Sequence, residues 1–225
     1  MAGAGGAVSR SGGRGVTIRI GVLLSGAGTT LENLLGLIDK GVLEAEVCLV
    51  VSTKPEALGL ERARSRGVPA HVVNRRELRD EAEFNSALHA VLDRYAPDLL
   101  VLAGFLSRFE LRGYAERVIN VHPALVPAFS GKDFYGARVH RAVLESGVKL
   151  TGATVHFCDE EYDTGPVILQ KAVPVLDDDD IGRLQARVVE AERELLPRAI
   201  QLFAEGRLVI EGQRVRIRPE AARRA

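Results

Sequence analysis

The chain has no tryptophan, one methionine, two cysteines and only 5% aromatic residues among its 225. Its core must therefore be built mainly from aliphatic side chains. Cys48 and Cys158 form no Cys-x-x-Cys pattern and lie in apolar, strand-like runs. They offer no disulfide framework and suit small core hydrophobes in a reducing cytoplasm. An excess of charge is lacking too: Lys plus Arg and Asp plus Glu number 30 each. No global field draws the chain toward nucleic acid or an anionic membrane, and neither is expected as a partner. The longest apolar runs, such as Val47 to Val51 and Leu99 to Phe105, are too short to span a bilayer. The amino terminus, M-A-G-A-G-G-A-V-S-R-S-G-G-R-G, lacks the apolar segment of a secretory signal. Residues 1–15 read as a disordered leader, 16–215 as a single domain and 216–225 as a flexible tail, in a cytoplasmic protein.

What is present is alternation. Short β-branched runs alternate with longer helical patterns, the mark of a parallel sheet flanked by helices. Strands are expected at Thr17 to Leu24, Ala45 to Ser52, Ala70 to Val73, Leu99 to Ala103 and Val118 to His122. Helices are expected at Thr29 to Lys40 and Glu81 to Tyr95, each with an apolar stripe, and at Pro55 to Arg66, ended by Gly67. Beyond these the pattern changes: a helix at Val139 to Ser146, strands at Ala153 to Cys158 and Val167 to Val175, and a long helix at Ile181 to Phe203. A hairpin-like piece follows from Arg207. The class is α/β: a doubly wound, mostly parallel, Rossmann-like sheet with a mixed carboxyl-terminal portion.

Three constellations carry chemistry. In V-I-N-V-H-P-A-L-V-P-A, Pro123 and Pro127 stop a strand just past Asn120 and His122. Strand alternation puts Asn120 and His122 on one face at a carboxyl end, where open α/β sheets bind ligands. The pair reads either as chemistry or as a buried polar cap. In S-G-A-G-T-T, Ser25 to Thr30, glycines follow the first strand and open the first helix, with Thr29 or Thr30 able to cap. The stretch fits an anion cradle at a helix amino terminus or an empty tight turn; it is neither a dinucleotide fingerprint nor a Walker loop. In G-A-T-V-H-F-C-D-E-E-Y-D-T-G-P-V-I, His156 sits in a strand and an acidic turn follows. Glu160 and Glu161 are expected to be solvated, whereas Asp163 stands at the neck where the chain re-enters an apolar strand. The His and acid spacings fit no metal motif, and no metal is expected.

In order, S-G-A-G-T-T, A-L-G-L-E-R-A, L-V-L-A-G-F, I-N-V-H-P-A-L-V-P and G-A-T-V-H-F…D-T-G-P-V-I resemble the folate-dependent formyltransferase family, from about Ile18 to about Arg207. The resemblance implies formyl transfer from 10-formyltetrahydrofolate to the amine of 5'-phosphoribosylglycinamide through a tetrahedral intermediate, by a monomer or homodimer. It gives catalytic roles to Asn120, His122 and Asp163; the Asp163 charge would raise the pKa of His122 if the two approach closely. It assigns the ribonucleotide phosphate to Gly26, Ala27, Gly28, Thr29 and Thr30, the ribose hydroxyls to Glu192, and the glycinamide arm to Pro127. Folate would be bordered by Leu106, Ser107, Arg108, Phe109, Val155, His156, Cys158 and Asp159. Three departures stand out. Ser107 precedes Arg108 where the family commonly has Arg. Arg79 is the nearest match to a phosphate-clamping Arg. A longer segment, F-S-G-K-D-F-Y-G-A-R-V-H, is expected to act as a lid, with His140 on the next helix. A formyltetrahydrofolate deformylase uses much the same triad but carries an extra regulatory domain, and a transfer-RNA formyltransferase adds a basic domain; neither addition is evident. A noncatalytic nucleotide-binding module would lose a member of the triad, and all three members are present.

Overall fold

The computed structural model describes residues 17–220. The expected leader and residues 221–225 lie outside the described residues. Strand β1 (Ile18–Leu24) leads into α1 (Thr29–Asp39), β2 (Ala45–Ser52), α2 (Leu58–Ser65), β3 (Ala70–Val72) and α3 (Glu81–Tyr95). Then come β4 (Leu99–Leu102), β5 (Val118–His122), α4 (Ala137–Ser146), β6 (Leu150–Phe157), β7 (Val167–Pro174), α5 (Ile181–Ala204), β8 (Leu208–Glu211) and β9 (Arg214–Ile217). One sheet joins all nine strands in the order β3-β2-β1-β4-β5-β6-β7-β9-β8.

The first five strands are parallel, β6 is antiparallel to both β5 and β7, and the β8–β9 hairpin joins β7 through β9. The doubly wound reading and its mixed end therefore hold. Strand β9 runs two residues into the stretch expected as tail.

The hydrophobic pattern explains the layers. All four residues of β4 are buried, because helices cover both faces of a central parallel strand. Leu31 of α1, Leu60 of α2, Val139 of α4 and Leu196 of α5 join one aliphatic cluster. Phe84, Leu88 and Leu92 of α3 build the other with Leu23 and Leu100. Helices α3 and α5 start at Asp80 and Asp180, whose carboxylates accept from the backbone N–H groups of Glu83 and Arg183. Helices α1 and α2 start at Gly28 and Ala57 with no side-chain cap, so neither Thr29 nor Thr30 caps α1.

Most boundaries shift by a residue or two. Two larger shifts have local causes. Helix α2 begins at Leu58 rather than Pro55, because residues 53–56 are spent in a turn that returns the chain from β2. Strand β6 begins three residues early, at Leu150, since Gly152 lets it pass against the β7 backbone: a Cβ there would lie 2.1 Å from the Lys171 carbonyl oxygen.

Candidate active site

Strand β1 pairs with β2 on one side and β4 on the other, so the chain leaves these neighbouring strands in opposite directions. Their carboxyl ends splay at this switch point, the usual ligand crevice of a doubly wound sheet. A cavity of about 450 Å³ opens there, lined by Ser25 and Gly26 after β1 and by residues 104–109 after β4. Ser25 is a structural tie: its hydroxyl is 2.7 Å from that of Thr53 and accepts from the Leu106 N–H at 3.4 Å.

The floor of the cleft is Asn120, His122 and Asp163. Asn120 and His122 share one face of β5, as alternation requires, and antiparallel pairing sets His156 of β6 opposite Asn120. Asn120 Nδ2 donates to Asp163 Oδ1 at 3.2 Å and lies 3.2 Å from His156 Nε2. His122 Nδ1 stands 3.4 Å from Asp163 Oδ2, and His156 Nε2 stands 3.4 Å from Asp163 Oδ1.

Asp163 reaches inward because of its turn. Its φ is +57°, and two residues on a Cβ at Gly165 would lie 1.9 Å from the Phe157 carbonyl oxygen. Only glycine lets the turn fold so tightly onto β6, and that closure carries the carboxylate over the sheet end.

The other imidazole atoms are spoken for. His122 Nε2 lies 2.8 Å from the Phe129 carbonyl oxygen and His156 Nδ1 lies 2.8 Å from that of Phe157, so each donates there as N–H. In its neutral form His122 then presents the Nδ1 lone pair to Asp163. Burial pushes the His122 pKa down, and Asp163 and the Phe129 carbonyl offset this only in part, so the net direction is below the ordinary value. The carboxylate acts in the expected upward sense, but desolvation outweighs it and sets the net direction. Burial also opposes the Asp163 charge, yet the His156 hydrogen bond, the His122 charge and the Gly131 N–H at 2.9 Å together hold its carboxyl below the usual range.

Of the residues expected to border folate, all but Val155 line the cleft. Val155 lies fully buried in the aliphatic cluster, because alternation along β6 sends it to the opposite face from His156. Cys158 is half-buried at the cleft wall, and burial raises its thiol pKa. Glu160 and Glu161 are exposed, as expected, at the edge of the cleft they help to line.

The residues expected at the ribonucleotide divide. Gly26 lines the cleft, with Ala27 and Thr29 exposed beside it. Thr29, Thr30 and Glu192 border a small depression between α1 and α5, where burial raises the Glu192 carboxyl to about 7. Arg79 reaches neither pocket; its guanidinium is solvent-exposed and bonds the carboxylate of Glu83 one turn along α3. Pro127 is also outside both linings, its carbonyl taken by the Ser130 hydroxyl, and Gly131 to Gly136 occupy that wall instead.

Phe105 closes the L-A-G-F strand expected beside folate, Phe134 and Tyr135 belong to the expected lid segment, and all three line the cleft. Sequence reasoning missed several contributors. Tyr162 lines the cleft too and was not foreseen. Asn85 and His89 of α3 were not foreseen either. Asn85 is fully buried: it accepts from the Glu110 N–H at 2.9 Å and donates to the Arg108 carbonyl at 3.4 Å. His89 bonds the Glu110 carbonyl at 2.7 Å and stacks on Phe109. These two side chains fix the backbone that presents Arg108 and Phe109. Among the described residues no group of three or more His, Cys, Asp or Glu is arranged to hold a metal ion, and no helix is long and apolar enough to cross a membrane.

A doubly wound sheet with an Asn-His-Asp cluster at its switch point defines a class, and a family model described as formyl transferase matches residues 18–200. The chain belongs to that family. It is 38% identical to the phosphoribosylglycinamide formyltransferase of Escherichia coli (strain K12), over 85% of this chain and 89% of that protein. It is similar to a glycinamide ribonucleotide transformylase 1 of Symbiobacterium toebii in crystal structure, with a TM-score of 0.85 and 44% identity over 90% of this chain and 95% of that one. It is 41% identical to the trifunctional purine biosynthetic protein adenosine-3 of Gallus gallus over 84% of this chain, which spans 19% of that longer protein.

Proposed function

We propose that this chain transfers the formyl group of 10-formyltetrahydrofolate to the amine of 5'-phosphoribosylglycinamide, a step of purine biosynthesis, in the cytoplasm. The observation that carries the reading is the meeting of Asn120, His122 and Asp163 at 3.2 to 3.4 Å on the cleft floor, beside the exposed Gly26–Thr30 loop. The likeness to phosphoribosylglycinamide formyltransferases along nearly their whole length supports it.

The amine nitrogen attacks the formyl carbon, and the carbonyl oxygen becomes an oxyanion. Asn120 Nδ2 is the donor aimed at that oxygen. In the resting site Asn120 Nδ2 donates to Asp163, and that bond is exchanged for the oxyanion. A positioned donor of this kind contributes roughly 3 kcal/mol in a water-poor site. The proton leaving the attacking nitrogen finds the His122 Nδ1 lone pair and the Asp163 carboxylate facing one another, a ready acceptor. As the C–N bond to folate breaks, that proton passes to the departing folate nitrogen and the carbonyl re-forms. No covalent bond to the enzyme is made, and much of the acceleration comes from holding two substrates in line.

The test is folate absorbance on mixing protein with 10-formyltetrahydrofolate, with and without the ribonucleotide. Release of tetrahydrofolate only when the amine is present supports transfer. Equal release without it, with free formate, assigns the chain to hydrolysis instead.

A further inference from the structure

The A-L-G-L-E-R-A segment, Ala57 to Ala63, carries none of the chemistry above, yet it contains a glycine in the first turn of a helix. Glycine is a poor helix former, so its place there needs a reason. The reason is contact with the loop after β1. A Cβ on Gly59 would stand 2.6 and 2.8 Å from the Leu24 methyls and 3.3 Å from Gly28 Cα. A Cβ on Gly28 would stand 2.6 Å from Gly59 Cα. Two bare backbones thus touch where any side chain would hold them apart.

The contact is also directional. The Gly59 N–H donates to the Gly26 carbonyl oxygen at 3.2 Å. In a trans peptide the C=O and N–H point opposite ways, so tying the Gly26 carbonyl to α2 turns the Ala27 N–H away from it, toward the exposed side of the loop. Behind Gly28 runs the Arg62 stem, whose Cδ would lie 3.6 Å from a Gly28 Cβ, and the Arg62 guanidinium pairs with Glu32 of α1. Arg66 adds pairs to Glu32 and Asp39. Helix α2 is thereby clasped to α1 along the flank of the loop.

We propose that Gly59 is a positioning residue for ribonucleotide binding: it is the abutment that fixes the Gly26–Thr30 loop with its amides turned outward, and α2 acts on the substrate only through that loop. The inference rests on the proposed function, in which this loop takes the ribonucleotide phosphate.

The experiment is steady-state kinetics in both substrates, with thermal melting, on Gly59→Ala, on Leu24→Val/Gly59→Ala and on Arg62→Ala. In Gly59→Ala the KM for the ribonucleotide rises about tenfold, while kcat and the KM for 10-formyltetrahydrofolate stay within about twofold, the pattern of lost uniform binding to one substrate. The double variant removes the Leu24 clash and recovers melting temperature, but the Gly28 contact persists and the ribonucleotide KM stays high. Arg62→Ala raises that KM about threefold with an unchanged melt, as expected for an exposed pair that contributes little to stability. If both KM values and the melting temperature of Gly59→Ala move together and recover together in the double variant, glycine serves packing alone and the proposal is overturned. If the Gly59 variants do not fold, an unchanged ribonucleotide KM in Arg62→Ala overturns it. Wild type with no saturable response to the ribonucleotide overturns the proposed function itself, a result distinct from normal wild type with indifferent variants.

Discussion

The Gly131 N–H donates to Asp163 Oδ2 at 2.9 Å, so the loop that walls the cleft is hydrogen-bonded to the carboxylate on its floor. The neighbouring Phe129 carbonyl holds His122 Nε2 at 2.8 Å. Loop conformation and the protonation of the His122–Asp163 pair are consequently coupled.

Removing the donor is the most direct probe of the chemistry. Asn120→Ala should lower kcat by about 100-fold to 1,000-fold, the usual effect of losing one oxyanion donor. Asp163→Ala should be at least as severe, since it removes the proton acceptor and releases Gly131. Both variants should melt near wild type and still bind the ribonucleotide by calorimetry. Near-normal turnover in both would sink the mechanism.

Burial sets the acid behaviour. His71, His122 and His140 all have pKa values lowered by desolvation. Unfolded, these imidazoles take up protons near 6.5; folded, they resist until lower pH. The unfolded chain therefore binds more protons in that interval, and stability falls as pH drops below about 6.5 until the folded values are passed. In a Glu192→Gln background, melting temperature measured from pH 7.5 to 5.5 should decline, and the acid limb of kcat should lie below pH 6.5. Because Glu192 titrates in the same window with the opposite sign, the comparison is made in Glu192→Gln, where a melting temperature that rises on acidification would contradict the burial of these rings.

Glu192 has the opposite sign. Burial raises its carboxyl to about 7, so between about 4.5 and 7 the folded chain holds a proton that the unfolded one has lost, and stability declines as pH rises through that window. Glu192→Gln should melt higher than wild type at pH 8 and not at pH 4. If its carboxylate holds the ribose hydroxyls, wild-type affinity for the ribonucleotide should weaken below about pH 7, and the variant should lose that dependence in a binding titration.

Asn85 offers a test of the cleft's other wall. Asn85→Leu leaves the Glu110 N–H and the Arg108 carbonyl without their partner, and unsatisfied buried groups cost about 1 to 3 kcal/mol. The expected readout is a KM for 10-formyltetrahydrofolate raised several-fold, with the ribonucleotide KM unchanged. Equal shifts in both would point to general loosening.

Much of this was legible beforehand. The parallel strands announced themselves through short aliphatic runs, and alternation alone placed Asn120 and His122 on one face. The inward carboxylate of Asp163 was legible from its place in the turn. Other features depend on partners distant in sequence. Nothing local says that Val155 faces the aliphatic cluster while His156 faces the cleft, because the face is decided by pairing with β5. The net fall in His122 basicity was not legible for a similar reason: a neighbouring charge is visible in sequence, whereas the degree of burial is not. Asn85 escaped notice because its partners, Arg108 and Glu110, lie beyond β4.

The reversal of direction at β6 has a consequence for divergence. The loop that would grip the acceptor's phosphate sits on the parallel half, after β1, while Asp163 and the acidic turn descend from the antiparallel half. The anion-cradling junction and the proton-handling cluster thus belong to separate parts of the sheet, and a change in one need not disturb the backbone of the other.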